Sequence, residues 1–205
     1  MICISTKQMI QICIQTQHMY KIPIPCNLYD TTKTNKKEGE SAEIRFRDLC
    51  YSKGWSYMGS SRSQNMHDHI DCFVTTPTSR SSVDVKAPKR ICRTRRDGTW
   101  NQVQDEYHWC EWTAVNGRHG WVRSDVEWIA FGMTDGSFLM VYTSDLYHYV
   151  HGLILQWYKK RLPKAKCPSA AVNGTLWSRP GRKDEVTLIH RSSLLAFPNT
   201  RTLRF

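Results

Sequence analysis

A chain of 205 residues that is 40% hydrophobic, with eight Trp, nine Tyr and six Phe, can bury a substantial core and is not composed like a disordered protein. Its 29 Lys and Arg against 18 Asp and Glu leave a formal charge of +11, which favours a polyanionic partner, most simply nucleic acid, with an anionic membrane surface as the alternative. No run approaches the length and apolarity of a transmembrane span, so a membrane-embedded protein is not expected.

The eight cysteines include no C-x-x-C pair, which removes support for zinc-ribbon and thioredoxin-like readings. Cys50, Cys72 and Cys110 lie in apolar periodic stretches, where cysteine serves as a small buried hydrophobe. The N-terminal stretch has no continuous apolar segment and no small-residue cleavage site. An intracellular protein with reduced thiols is expected.

Residues 1–36 are rich in Gln, Thr and Lys and read as an extension, with the polar run "TTKTNKKEGE" as a linker into a main domain over 37–205. The first expected element is a helix over Ser41–Ser52. Ser41 would cap it, Ala42, Phe46, Leu49 and Cys50 form its apolar stripe, and Gly54 ends it. Strands are expected over Trp55–Met58, His69–Val74 and Val83–Ala87, the last terminated by Pro88. Further strands are expected over Glu106–Val115, Val126–Met133 and Ser137–Tyr142. A helix capped by Ser144 runs to about Trp157, and a late strand covers Val186–His190. This order implies an α+β or α/β domain around a central mixed sheet flanked by helices.

The chemistry concentrates at the third strand. If His69–Val74 and Val83–Ala87 form a hairpin around the loop Thr75–Ser82, Asp71 falls opposite Lys86, with Asp84 its diagonal neighbour on the same face. Opposed side chains lie about 5 Å apart at Cβ and diagonal ones about 7–8 Å. Ile70, Cys72, Val74, Val83 and Val85 then pack on the other face. Asp71 and Asp84 at this separation can share a hard divalent cation such as Mg²⁺, and Lys86 would position water or offset transition-state charge. The plain alternative is a salt-bridged surface hairpin.

Lys86, Lys89, Arg90, Arg93, Arg95 and Arg96 follow within eleven positions, and Lys89 onward suits backbone-phosphate contacts. A solvated loop is the other reading. Glu111, on a later strand, either joins the acidic cluster or pairs with a surface cation. His67 and His69, in a loop just before a strand, read as solvent-exposed rather than metal-bound. Trp109, Trp128 and Trp157 read as core packing.

The order "SAE" on a helix, then Asp71 after an isoleucine, then "DVK" resembles the PD-(D/E)xK nuclease superfamily. Within it, "GESAEIRFRDLCYSKGW" is similar to the first helix of archaeal-type Holliday-junction resolvases. The segments "VDVKAPKR", "HWCEWTAV", "GWVRSDVEWIAFG" and "GRKDEVTLI" resemble small phage-encoded members, so the likeness covers about residues 38–189. It implies a restriction-endonuclease-like core and Mg²⁺- or Mn²⁺-dependent hydrolysis of DNA in recombination, repair or processing, in the host cytoplasm if phage-encoded. Asp71, Asp84 and the Val85 carbonyl would hold the metal, and Lys86 would be the catalytic lysine. Glu43, or Glu40 one helical turn away, would be the helix-borne acid that reaches the metal or its water. A homodimer would suit the resolvase subtype, which acts through two active sites. The alternative function is a non-catalytic nucleic-acid-binding protein with a nuclease-like fold.

Overall fold

Ala42, Phe46, Leu49 and Cys50 repeat at helical spacing, and all are buried along helix α1 (Thr34–Ser52) of the computed structural model, which describes residues 34–91 and 102–205. Gly54 closes the helix at φ +70°, with its amide donating to the Tyr51 carbonyl at 2.9 Å. The start differs from expectation. The helix begins at Thr34, so Ser41 is an exposed interior position and not a cap, and the boundary at residue 36 falls inside the helix. The Lys and Glu of "KKEGE" are good helix formers, and Glu38 is tied to Arg90 at 2.7 Å, which gives this polar turn a tertiary partner.

A six-stranded mixed sheet forms the centre. It contains β1 (Ser56–Gly59), β2 (Cys72–Thr75), β3 (Arg80–Lys86), β5 (Trp128–Gly132), β6 (Phe138–Tyr142) and β8 (Arg201–Leu203), adjacent in that order. Only β3 and β5 run parallel among these neighbours. Strands β4 (Tyr107–Thr113) and β7 (Glu185–His190) do not join this sheet and pair with each other in a two-stranded antiparallel one.

Alternation in the strands divides the core. Cys72, Val74, Val83 and Val85 face α1 with Ala130 and Met140, whereas Ile129, Phe131, Leu139 and Val141 pack with Leu146, Val150 and Ile154 of helix α2 (Thr143–Lys159). Ser144 does not cap α2; the helix starts one residue earlier and the Thr143 amide donates to the Glu127 carbonyl at 3.0 Å. A short helix α3 (Arg191–Leu195) follows β7. Cys50, Cys72 and Cys110 are buried free thiols, as expected. Trp157 is buried, while Trp109 and Trp128 are only half-buried. None of the described helices is long and apolar enough to cross a membrane.

The small sheet packs on the main one partly through His108, whose ring lies 4.5 Å from that of Phe131. Burial pushes this imidazole down to about 4, and the nearby Asp105 opposes the shift only in part. Below its ordinary value of 6.5 the unfolded chain therefore binds a proton that the folded chain refuses, so stability falls as pH drops from 6.5 towards 4. We expect urea titrations to lose on the order of 3 kcal/mol across that window, and His108→Phe to remove most of this loss.

Candidate active site

The site lies where β2 gives out beside β3. The observed ladder pairs Cys72 with Val83 and Thr75 with Arg80, two residues away from the register expected. The cause is a tight turn at Thr76–Ser79. The Thr76 amide donates to the Ser79 carbonyl at 2.8 Å, and Thr76 Oγ1 accepts from the Ser79 amide at 3.1 Å. Hairpin pairing therefore starts at Arg80, inside what was read as loop. A shift of two preserves the face of every side chain. The Asp71 amide donates at 3.0 Å to the carbonyl of Val83, the residue already paired with Cys72, so Asp71 lies just past the last ladder pair, where its carboxylate acts on that of Asp84, and not opposite Lys86.

Just upstream, the chain turns away through a π-helical turn (Gln64–Asp68) and His69, whose φ of 57° is left-handed. Ile70 consequently leaves the β2 face pattern and packs with the α2-side core, not with Cys72 and Val74 as expected. With β2 gone, the edge of β3 beside Asp71 lacks a backbone partner, and the Val85 amide donates instead to Asp71 Oδ2 at 2.7 Å. The amide and carbonyl of one strand residue point to the same edge, so the Val85 carbonyl faces this gap too. Asn65, from the π turn, donates to Asp71 Oδ1 and fixes the other end of the carboxylate.

Asp84 is 1% exposed. Its Oδ2 lies 2.6 Å from Lys86 Nζ, a close and largely desolvated ion pair. Burial pushes the carboxyl up to about 8; Lys86 resists, and the charge and hydrogen bonding of Asp71 add to the rise. Lys86 lies 4.9 Å from the Trp121 ring centre. Trp121, in a single turn of 3₁₀ helix (Trp121–Arg123), is brought there by Gly120. The Gly120 amide donates to the Trp112 carbonyl at 3.0 Å, and a Cβ at Gly120 would stand 2.1 Å from the Glu111 carbonyl oxygen.

The other expected acids collect around this lysine. Glu43, half-buried on α1, has its carboxyl raised by burial, by Asp71 and by Glu40, with Lys86 opposing. Glu40 is exposed, so Glu43 is the helix residue that faces the cluster. Glu111 is likewise raised by burial and held down by Lys86. His69 is half-buried, contrary to the exposed loop position expected, and its imidazole is lowered by burial and by Lys86. His67 is exposed.

The basic run is only partly in view. Lys89 is exposed, and Arg90 is occupied by Glu38. Arg93, Arg95 and Arg96 lie outside the described residues. Sequence reasoning missed Asn65, Trp121 and the ion pair of Arg179 with Asp184. None carries a local signature, since their roles come from contacts made across the fold.

Among the described residues, no three His, Cys, Asp or Glu side chains are gathered into a ready-made metal cage. The donors suit a hard divalent ion all the same: the neighbouring carboxylates of Asp71 and Asp84, the second of them buried, and a carbonyl on the open edge. A cavity of about 650 Å³ opens elsewhere, lined by Ser82, His119, Arg123, Glu127 and Tyr147 among others. It excludes Asp71, Asp84 and Lys86, and the paired carboxylates carry more chemistry than its walls. No family model, curated protein or solved structure matches the chain.

Proposed function

We propose that this protein is a metal-dependent phosphodiesterase acting on DNA, with a restriction-endonuclease-like core of the PD-(D/E)xK type. One observation carries the reading: Asp71, just before β2, brings its carboxylate to the Val85 amide beside the buried Asp84, with Lys86 Nζ 2.6 Å from Asp84, in a chain of charge +11. Nothing structural calls for a carboxylate as buried as Asp84. Replacing a buried ion pair by apolar residues is often neutral or stabilising.

Asp71, Asp84 and the Val85 carbonyl would hold Mg²⁺ or Mn²⁺. When bound, the ion supplies a Lewis acid that makes water acidic enough to attack at neutral pH and offsets charge on the phosphate. The residues do the rest. Asn65 and the Val85 amide hold Asp71 still. The Lys86 ammonium, fixed between Asp84 and the Trp121 ring, donates to the phosphate oxygens as charge builds. Glu43, kept partly desolvated beside Asp71, is the acid placed to reach the metal or its water. Water attacks phosphorus in line, and the bond to the leaving oxygen breaks.

Purified protein should cleave duplex, single-stranded, flapped or four-way DNA with Mg²⁺ or Mn²⁺ and not with EDTA. Lys86→Ala should lower the rate by about 10²-fold or more. Undiminished cleavage by that variant would remove Lys86 from the mechanism. The Lys86–Asp84 pair also closes on itself, which favours a second reading, a binder without cleavage; that protein would retain DNA in a salt-dependent way and give no product with any metal.

A further inference from the structure

Asp184 is a second fully buried carboxylate, and the chemistry above does not use it. Its Oδ2 accepts from Arg179 Nε at 2.6 Å, while its buried Oδ1 has no hydrogen-bond partner. Burying a carboxylate against one arginine is a poor way to gain stability, because desolvation offsets most of the attraction. The arginine is not buried with it: the Arg179 side chain is 44% exposed. Contact through Nε grips the guanidinium on its stem side, and its terminal N–H groups make no hydrogen bond to the described residues.

Strand register locates that guanidinium. Glu111 of β4 pairs with Val186 of β7, and Val186 exchanges two backbone bonds with Trp177, at 2.9 and 3.0 Å. Arg179 follows two residues past this row. The Glu111 carboxyl accordingly feels both Lys86 and Arg179, the first from the central sheet and the second from the loop before β7. A half-exposed arginine fork, anchored from behind, thus acts on the same Glu111 carboxylate as the lysine of the cluster.

We propose that Arg179, positioned by Asp184, binds a phosphate of the nucleic-acid substrate neighbouring the one held at Lys86. The proposal rests on the phosphodiesterase reading and extends its substrate contacts to the loop Arg179–Asp184. A planar guanidinium with its rotation restrained matches two phosphate oxygens at once, which a lysine cannot do. Asp184 touches no substrate; it sets the direction of the fork.

The test is binding of a fluorescein-labelled DNA duplex to the full chain in EDTA, by anisotropy, between about 50 and 200 mM salt. The informative variant is Arg179→Ala with Asp184→Asn, which removes one charge of each sign and leaves the net charge unchanged. It should bind about threefold to tenfold more weakly, with a salt dependence reduced by about one phosphate contact. Arg179→Lys keeps the buried carboxylate paired. It should retain the salt dependence but lose about tenfold in kcat/KM with Mg²⁺. Wild-type affinity and salt dependence in a folded double variant would overturn the proposal. Should that variant fail to fold, wild-type affinity and cleavage by Arg179→Lys would overturn it instead. A wild-type protein that binds DNA through Arg179 but cleaves none with any metal would sink the nuclease reading and leave this contact standing.

Discussion

Asp84→Asn should abolish cleavage and at the same time make the protein more stable. The Asp84 carboxyl is almost wholly buried and pushed up to about 8, so near neutral pH the folded chain must take up a proton there that the unfolded chain releases. Between the ordinary 3.8 and about 8, the folded state holds the proton more tightly than the unfolded one, and stability falls as pH rises through that window. The amide has nearly the same shape and no charge. Its benefit should be nil below pH 3.8 and grow towards pH 8, reaching on the order of 5 kcal/mol, or about 10–20 °C in Tm. Thermal melts at several pH values read this directly. A second measurement separates site from scaffold: added Mg²⁺ should raise the Tm of the wild type and leave that of Asp84→Asn unchanged, because only a ligand bound to the folded state stabilises it. A lower Tm in the variant would show that Asp84 is structural.

Gly120→Ala should be among the most damaging single methyl additions. The new carbon would stand 2.1 Å from the Glu111 carbonyl oxygen and 2.5 Å from its carbon, and both are backbone that no rotamer change can move. Strand β4 and the Trp121 turn would have to separate, breaking the bond from the Gly120 amide to the Trp112 carbonyl. A loss of about 3 kcal/mol or more is expected, or about 6–12 °C in Tm. Activity should fall beyond what unfolding explains, since the same displacement moves the Trp121 ring away from Lys86 and shifts the strand that carries Glu111. A melt within about 2 °C of wild type would show that the two segments part without penalty.

The central strands were legible in the sequence because alternation and helical spacing report burial directly. Cys72, Val74, Val83 and Val85 chose the face, and with the face chosen Asp84 and Lys86 had to share the opposite one. The register was not legible. It depended on Thr76 satisfying the Ser79 amide with its side chain, which shortened the loop and shifted the ladder by two residues. The helix start was misjudged because "TNKKEGE" has no apolar stripe; its tie to the fold is the reach of Glu38 to Arg90, a tertiary contact. Asn65, Trp121 and Arg179 were invisible for another reason. Each meets its partner only after segments distant in sequence are brought together, and a polar side chain in a loop gives no local sign of its destination.

Strand β4 also bears on the order in which the molecule can assemble. Its sheet partner is β7, so Tyr107 waits for His190 and Glu111 for Val186 before their backbone groups are paired. Until then β4 is a bare edge bearing Trp109 and Trp112, the kind of surface that invites pairing with another chain. Contacts so far apart in sequence form late and slow folding. The carboxylates of Asp71 and Asp84 can be brought together early by a local hairpin, but Glu111 and Arg179 take their places only when β7 docks. Competence for substrate would thus be the last thing this chain acquires as it folds.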